Sequence, residues 1–308
     1  MTSLGIFIRG LLMGAADIVP GVSGGTVAFI TGIYDRLLAS IRAFDLQCVR
    51  LVLRGNIKMA WEHVDGNFLS ALLLGIATSI LTLAQLVSWL LHTYPVQLWA
   101  FFFGLVLASA LVLLRQIDAW NTQRILSLAC GAAIALWIAL SPVANLDIGL
   151  AGVFLSGFIA ICAMILPGIS GSFILVLLGM YSTVLSALKS FDLLFIAVFA
   201  AGAVVGLMVF SRFLHWLLQR AHAATMALLT GFLFGSLVVV WPWKQVLTWV
   251  LGSHGQLKPA QQIPVFPAQY LAETGLQPTV VLCVVLMLIG FTGVWLIDLK
   301  WGVSRTES

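Results

Sequence analysis

A chain of 308 residues that is 61% hydrophobic and only 8% charged carries more apolar surface than a water-soluble fold of this size can bury. Its net charge of +4 comes from Lys and Arg placed between apolar runs, with no basic patch carrying interleaved aromatics, which excludes a nucleic-acid partner. Cys48, Cys130, Cys162 and Cys283 make neither a Cys-x-x-Cys pair nor a Cys/His cluster, so disulfide, redox and zinc chemistry are unsupported and no cofactor or metal is expected.

The first apolar stretch, residues 4–17, is interrupted by Arg9 and precedes no convincing cleavage site, so it is read as retained structure rather than a signal peptide. As a helix it spans about 21 Å at ~1.5 Å per residue, short of a roughly 30 Å hydrocarbon core. It runs into Asp17-Ile-Val-Pro-Gly-Val-Ser-Gly-Gly-Thr26, where helix breakers crowd into apolar sequence. Freed backbone groups survive at membrane depth only where they are buried in protein or line a polar cavity. The spacing therefore predicts a re-entrant hairpin over 4–40 with its tip near mid-membrane.

Next, residues 42–62 place Arg50, Arg54 and Lys58 at intervals of four, with Leu46, Val49, Leu53 and Trp61 away from them. Two readings stand: a helix lying against anionic headgroups, or a basic loop that orients its neighbours. Apolar runs near 69–91, 97–114 and 125–141 then predict three spans within 68–141.

The pattern now repeats. Displaced by 147 residues, Ile18-Val-Pro-Gly-Val-Ser-Gly-Gly-Thr26 overlies Ile165-Leu-Pro-Gly-Ile-Ser-Gly-Ser-Phe173, and the match reaches Gly32/Gly179 and Tyr34/Tyr181. Displaced by 127, Gly75/Gly202, Trp89-Leu-Leu91/Trp216-Leu-Leu218, Gly104/Gly231 and Ser109/Ser236 align. Two units follow. The first is 1–148; the second, 149–308, has a hairpin at 149–188, spans within 193–297 (runs near 193–211, 225–243 and 278–297) and a Pro-, Gly- and Gln-rich external connection at 244–277.

Charge orients them. With the N-terminus cytoplasmic, twelve basic residues fall inside and only Lys189, Lys244 and Lys258 outside. A hairpin plus three spans per unit makes the repeats inverted and returns the C-terminus to the cytoplasm. The expected fold is all-α: a polytopic membrane protein of two inverted units.

Each hairpin tip has the chemistry of an anion site. Pro20 and Pro167 shape the turn; Ser23 and Ser170 stand at or just before the N-cap of a new helix. Gly21, Gly24, Gly25, Gly168 and Gly171 open the backbone to a ligand, while Ser23, Thr26, Ser170 and Ser172 add hydroxyls. Close helix packing is the other account of such residues, but their duplication favours phosphate at unsatisfied amides. Asp17, whose repeat counterpart is Met164, either couples transport to a proton or sodium ion or holds the hairpin by accepting backbone amides. Arg9 either pairs with Asp17 or anchors at headgroups, and Arg212 either snorkels or supplies a secondary phosphate contact, as Arg9 also could. Tyr34 and Tyr181 read as aromatic-belt anchors.

The segments Gly14-Ala-Ala-Asp17-Ile-Val-Pro-Gly-Val-Ser-Gly-Gly-Thr26, Gly32-Ile-Tyr-Asp-Arg36 and Leu166-Pro-Gly-Ile-Ser-Gly171 resemble the bacterial polyprenyl-phosphate transporter family, formerly a membrane family of unknown function. The resemblance covers essentially the whole chain. It implies a flippase of the cell inner membrane that moves undecaprenyl phosphate from the outer to the inner leaflet, the phosphate surrounded by Ser23, Gly24, Gly25, Thr26, Ser170, Gly171 and Ser172 and the tail left among membrane lipids. Undecaprenyl-diphosphate phosphatases carry a similar Pro-Gly-x-Ser stretch followed by Arg, with paired glutamates. Here Gly24 and Gly171 follow the serines, and Glu62, Glu273 and Glu307 all lie in loops or tails, so an enzyme is not expected. A transporter of a small soluble anion remains the alternative.

Overall fold

The computed structural model describes residues 2–17, 23–117, 119–141, 149–251 and 257–301. Long apolar segments satisfy their backbone only as helices in lipid, and helices dominate. Five described helices are long and apolar enough to cross a membrane: α6 (Gly66–Thr93), α7 (Pro95–Arg115), α8 (Thr122–Leu140), α12 (Leu193–Arg220) and α15 (Val280–Trp301). The protein is a multi-pass, helical membrane protein.

Before α6 come α1 (Ser3–Asp17), α2 (Gly24–Ile30), α3 (Tyr34–Arg42), α4 (Leu46–Leu53) and α5 (Ile57–His63). Between α8 and α12 come α9 (Leu150–Ile165), α10 (Gly171–Leu177) and α11 (Tyr181–Ser190). After α12 come α13 (His222–Ser236), strands β1 (Lys244–Leu251) and β2 (Leu257–Pro264), and α14 (Pro267–Thr274).

The helices pack in pairs: α1 on α6, α9 on α12, α7 on α15 and α8 on α13. Small residues set how closely they approach. A Cβ at Gly75 would lie 2.2 Å from the Phe7 carbonyl oxygen, and one at Gly202 would lie 2.0 Å from that of Phe154. Likewise a Cβ at Gly104 would meet the Met287 carbonyl, and one at Gly231 that of Leu128 at 2.2 Å. The glycines aligned in sequence thus make equivalent backbone contacts.

Four local features depart from the sequence expectations. The leg after each tip is not one helix. It breaks after seven residues at Gly32 and at Gly179, both at φ +69°, where a side chain would be strained. In the second copy the two pieces, α10 and α11, are bent by 111°. The basic segment is also two helices: Asp45 caps α4 by accepting from the Cys48 amide, and Gly55 at φ +76° separates α4 from α5, so Arg50 and Lys58 share no helix. The run 225–243 is helical only as far as Ser236. Finally, the segment between α13 and α14 contains an antiparallel β1–β2 ribbon, where the sequence predicts an all-α fold.

Candidate functional site

The two duplicated segments meet. Ser23 Oγ donates to the Met164 carbonyl at 3.1 Å, and Thr26 Oγ1 accepts from the Gly168 amide at 3.0 Å. Tyr34 Oη donates to the Ile165 carbonyl at 3.0 Å. Close approach on the first side needs glycine: a Cβ at Gly25 would stand 2.9 Å from the Ile165 carbonyl oxygen. Ser23, Thr26 and Ser170 are all buried. Pro20 and Gly21 lie outside the described residues.

The first tip is internally capped. Ser23 is the N-cap of α2 and accepts from the Gly25 amide at 3.1 Å, while the Asp17 carboxylate accepts from the Gly24 amide at 2.6 Å. The Thr26 amide donates to the Ser23 carbonyl at 2.9 Å. The first three amides of α2 have therefore found acceptors. Asp17 is a resident anion where a bound anion would sit, and a Cβ at Gly24 would lie 2.5 Å from its Oδ2.

The second tip is open. Ser170 occupies the N-cap of α10, but its side chain caps no amide; its hydroxyl pairs with that of Ser172 at 2.7 Å. None of the hydrogen bonds among the described residues uses the Gly171 or Ser172 amide. Gly168, at φ +83°, turns the chain against α13, where a Cβ would sit 2.8 Å from Ser236 Oγ. A cleft of about 10 Å³ lies here, lined by Gly168, Ser170 and Phe173, by Ala135 and Ile138 of α8, and by Ser236 and Val239. That is room for about one water, less than a phosphate group needs.

Arg9 and Arg212 are placed elsewhere. Arg9 is buried, with Nε donating to the Thr31 carbonyl at the end of α2 and a terminal nitrogen to the Gly5 carbonyl. It places a cation at the C-terminal end of α2, the opposite end from the tip. Arg212 reaches the Met208 and Phe44 carbonyls at 3.5 Å each. Tyr34 is buried against Phe29 rather than set in an interfacial belt. Its register with Tyr181 marked the position, but only the fold shows that the hydroxyl reaches the other tip.

The sequence profile of the VCA0040-like family, described as undecaprenyl phosphate translocase-like, matches residues 13–258. The chain belongs to this family. The match takes in both tips and the ribbon's first strand. A polyprenyl-phosphate transporter of Vibrio cholerae is 47% identical over 288 residues, covering 94% of each chain. A polyprenyl-phosphate transporter of Staphylococcus aureus is 29% identical over 253 residues, covering 76% of this chain and 85% of that one. No solved structure matches the chain. The family is one of transporters, not enzymes.

Proposed function

We propose that the protein is a flippase that carries undecaprenyl phosphate from the outer to the inner leaflet of the bacterial cytoplasmic membrane, recycling the carrier lipid for peptidoglycan and other envelope polymers. One observation carries this reading. Two duplicated tips touch, and one has its amides capped by Asp17 and Ser23 while the other keeps the Gly171 and Ser172 amides unbonded among the described residues, beside a cleft. α2 and α10 are only seven residues long, so the donors that matter are local amides and hydroxyls rather than a long helix dipole. The lipid class rests on the relatives from Vibrio cholerae and Staphylococcus aureus, both polyprenyl-phosphate transporters.

In this reading the two units are inverted repeats, each a re-entrant hairpin followed by three spans, with both termini cytoplasmic. The helix pairing supports it: exchanging the halves maps the α1–α6 pair onto α9–α12, and α7–α15 onto α13–α8. The α4–α5 segment, with exposed Leu46, Leu53 and Ile57 beside Arg50, Arg54 and Lys58, rests on the anionic cytoplasmic leaflet.

Transport proceeds by alternating access. Ser170, Gly171 and Ser172 take the phosphate while the first tip is closed on Asp17. Rearrangement then presents the headgroup to Ser23, Gly24, Gly25 and Thr26, whose amides become available when Asp17 lets go. A proton or sodium ion taken up by Asp17 would drive that release. The test is leaflet-resolved movement of undecaprenyl phosphate in proteoliposomes of the purified protein. Movement well above empty vesicles is expected; its absence, with insertion confirmed and ion gradients applied, rejects the flippase. Uptake of inorganic phosphate instead would assign a soluble anion.

A further inference from the structure

Lys244 stands apart from the other basic residues. It opens β1, and its ammonium lies 3.6 Å from the centroid of the Trp99 ring while donating to the Val239 carbonyl at 2.5 Å. Two indoles fix this position: Trp241 donates to the Val265 carbonyl and Trp243 to the Pro278 carbonyl, each at 2.9 Å. Trp241 also packs edge-on against Phe103 and Trp243. The base of the ribbon is thus locked over the start of α7, and the lysine with it.

Among the described residues this cation has no counter-ion. The ion pairs among the described residues are Arg36–Asp65 and His63–Asp45, and Lys244 has only a ring face and a carbonyl. Desolvation pushes its pKa down to about 7, as expected of an ammonium taken from water without an anion beside it. Its holder is informative too. Val239 lines the cleft at the second tip together with Gly168, Ser170 and Ser236. The Val239 amide closes a turn onto the Ser236 carbonyl at 2.9 Å, so the lysine is held by a residue that shares a cleft with Ser170.

We infer that Lys244 is the receiving cation for the phosphate monoester on its way to the Ser170–Ser172 tip, swinging from Val239 to the incoming anion at the mouth of the cleft. The ring of Trp99 and the carbonyl keep it poised meanwhile, and both are weaker partners than a phosphate oxygen. The inference rests on the phosphate-carrying reading above and adds a residue on the ribbon to a site otherwise built from the two tips. A structural role alone would make Lys244 a cap for the end of the α13 segment.

The deciding experiment compares Lys244→Gln, which keeps an N–H donor for Val239 but no charge, and Lys244→Met with the parent protein in nanodiscs. Titration uses farnesyl phosphate as the probe and farnesol as the uncharged control. Both variants should bind farnesyl phosphate at least tenfold more weakly and farnesol unchanged. Farnesyl phosphate binding equal to the parent in Lys244→Gln, or an equal loss for farnesol, overturns the inference. Competing inorganic phosphate separates the sources: displacement at matching concentrations means that the lysine receives a free anion, and no displacement that it receives a lipid headgroup. Flipping that fails in the parent while binding still depends on Lys244 rejects the flippase and keeps this site. Flipping that persists with binding independent of Lys244 does the reverse.

Discussion

The two tips share a motif and differ in what caps it. At the first, Asp17 reaches back to the Gly24 amide at 2.6 Å. At the second, the equivalent position is Met164, and the equivalent amide, Gly171, meets no carboxylate. The same sequence motif is therefore a closed cap on one side and an open donor set on the other. A symmetric pair of open sites would bind an anion from both sides at once and have little reason to release it. One resident anion makes the tips unequal in any single conformation, which is what a carrier requires.

The strongest way to break this comparison is at the contact itself. Gly168→Ala adds a Cβ 2.8 Å from Ser236 Oγ at φ +83°. Overpacking costs ~1–3 kcal/mol, and the left-handed conformation adds ~1–2 kcal/mol for a residue with a Cβ. Because Gly168 also donates to Thr26, the tips should separate. Transport should be abolished and the thermal midpoint in detergent lowered by several degrees; parental values for both would mean that the tips do not depend on one another.

A subtler change makes the tips alike. Met164→Asp places a carboxylate in the register from which Asp17 caps α2, and the Cβ of Met164 already lies 3.4 Å from the position of a Cβ on Gly171. The second tip should then cap itself. Affinity for a short-chain polyprenyl phosphate should fall about tenfold, or ~1.4 kcal/mol, with little loss of stability. Undiminished binding would mean that the phosphate goes elsewhere.

Much of this was readable in the sequence, for physical reasons. Composition fixes the solvent, and breakers inside apolar runs must sit where protein or a cavity satisfies them, so both tips could be located. Packing glycines such as Gly75 and Gly202 repeat in register because close approach allows no Cβ. What escaped depends on which partner a group chooses in three dimensions. Asp17 had two open roles, and only the fold shows its bond to Gly24. Tyr34 looked interfacial because aromatic residues near hairpin ends usually are, yet its hydroxyl crosses to Ile165. Arg9 has the composition of an anchor and the burial of a brace. Lys244 sat in a loop with no periodic pattern, so nothing in one dimension linked it to Trp99.

Asp17→Asn sharpens the comparison without removing the cap. The amide side chain still offers an oxygen to Gly24, so the hairpin should stay folded. The charge and the proton site are both gone. Transport should lose its dependence on pH, measured by leaflet-resolved flipping across a pH series, while phosphate affinity at the second tip changes by less than about threefold, ~0.65 kcal/mol. A pH response identical to the parent's would reject coupling through Asp17 and leave it a cap alone.

The smallest effects should cross over between the two serines. Ser23 caps α2 and also donates to Met164, so Ser23→Ala removes an N-cap worth ~1 kcal/mol. Ser170 caps no amide and its hydroxyl bonds to that of Ser172, so Ser170→Ala should leave stability within about 0.5 kcal/mol. Ligand binding should show the opposite order, with Ser170→Ala losing about threefold in phosphate affinity, ~0.65 kcal/mol, and Ser23→Ala nearly none, because only the second tip keeps amides unbonded among the described residues. Unfolding curves and titrations of the two variants side by side check this. Equal losses in both measurements would mean that the tips are equivalent, and that the carboxylate of Asp17 does not distinguish them.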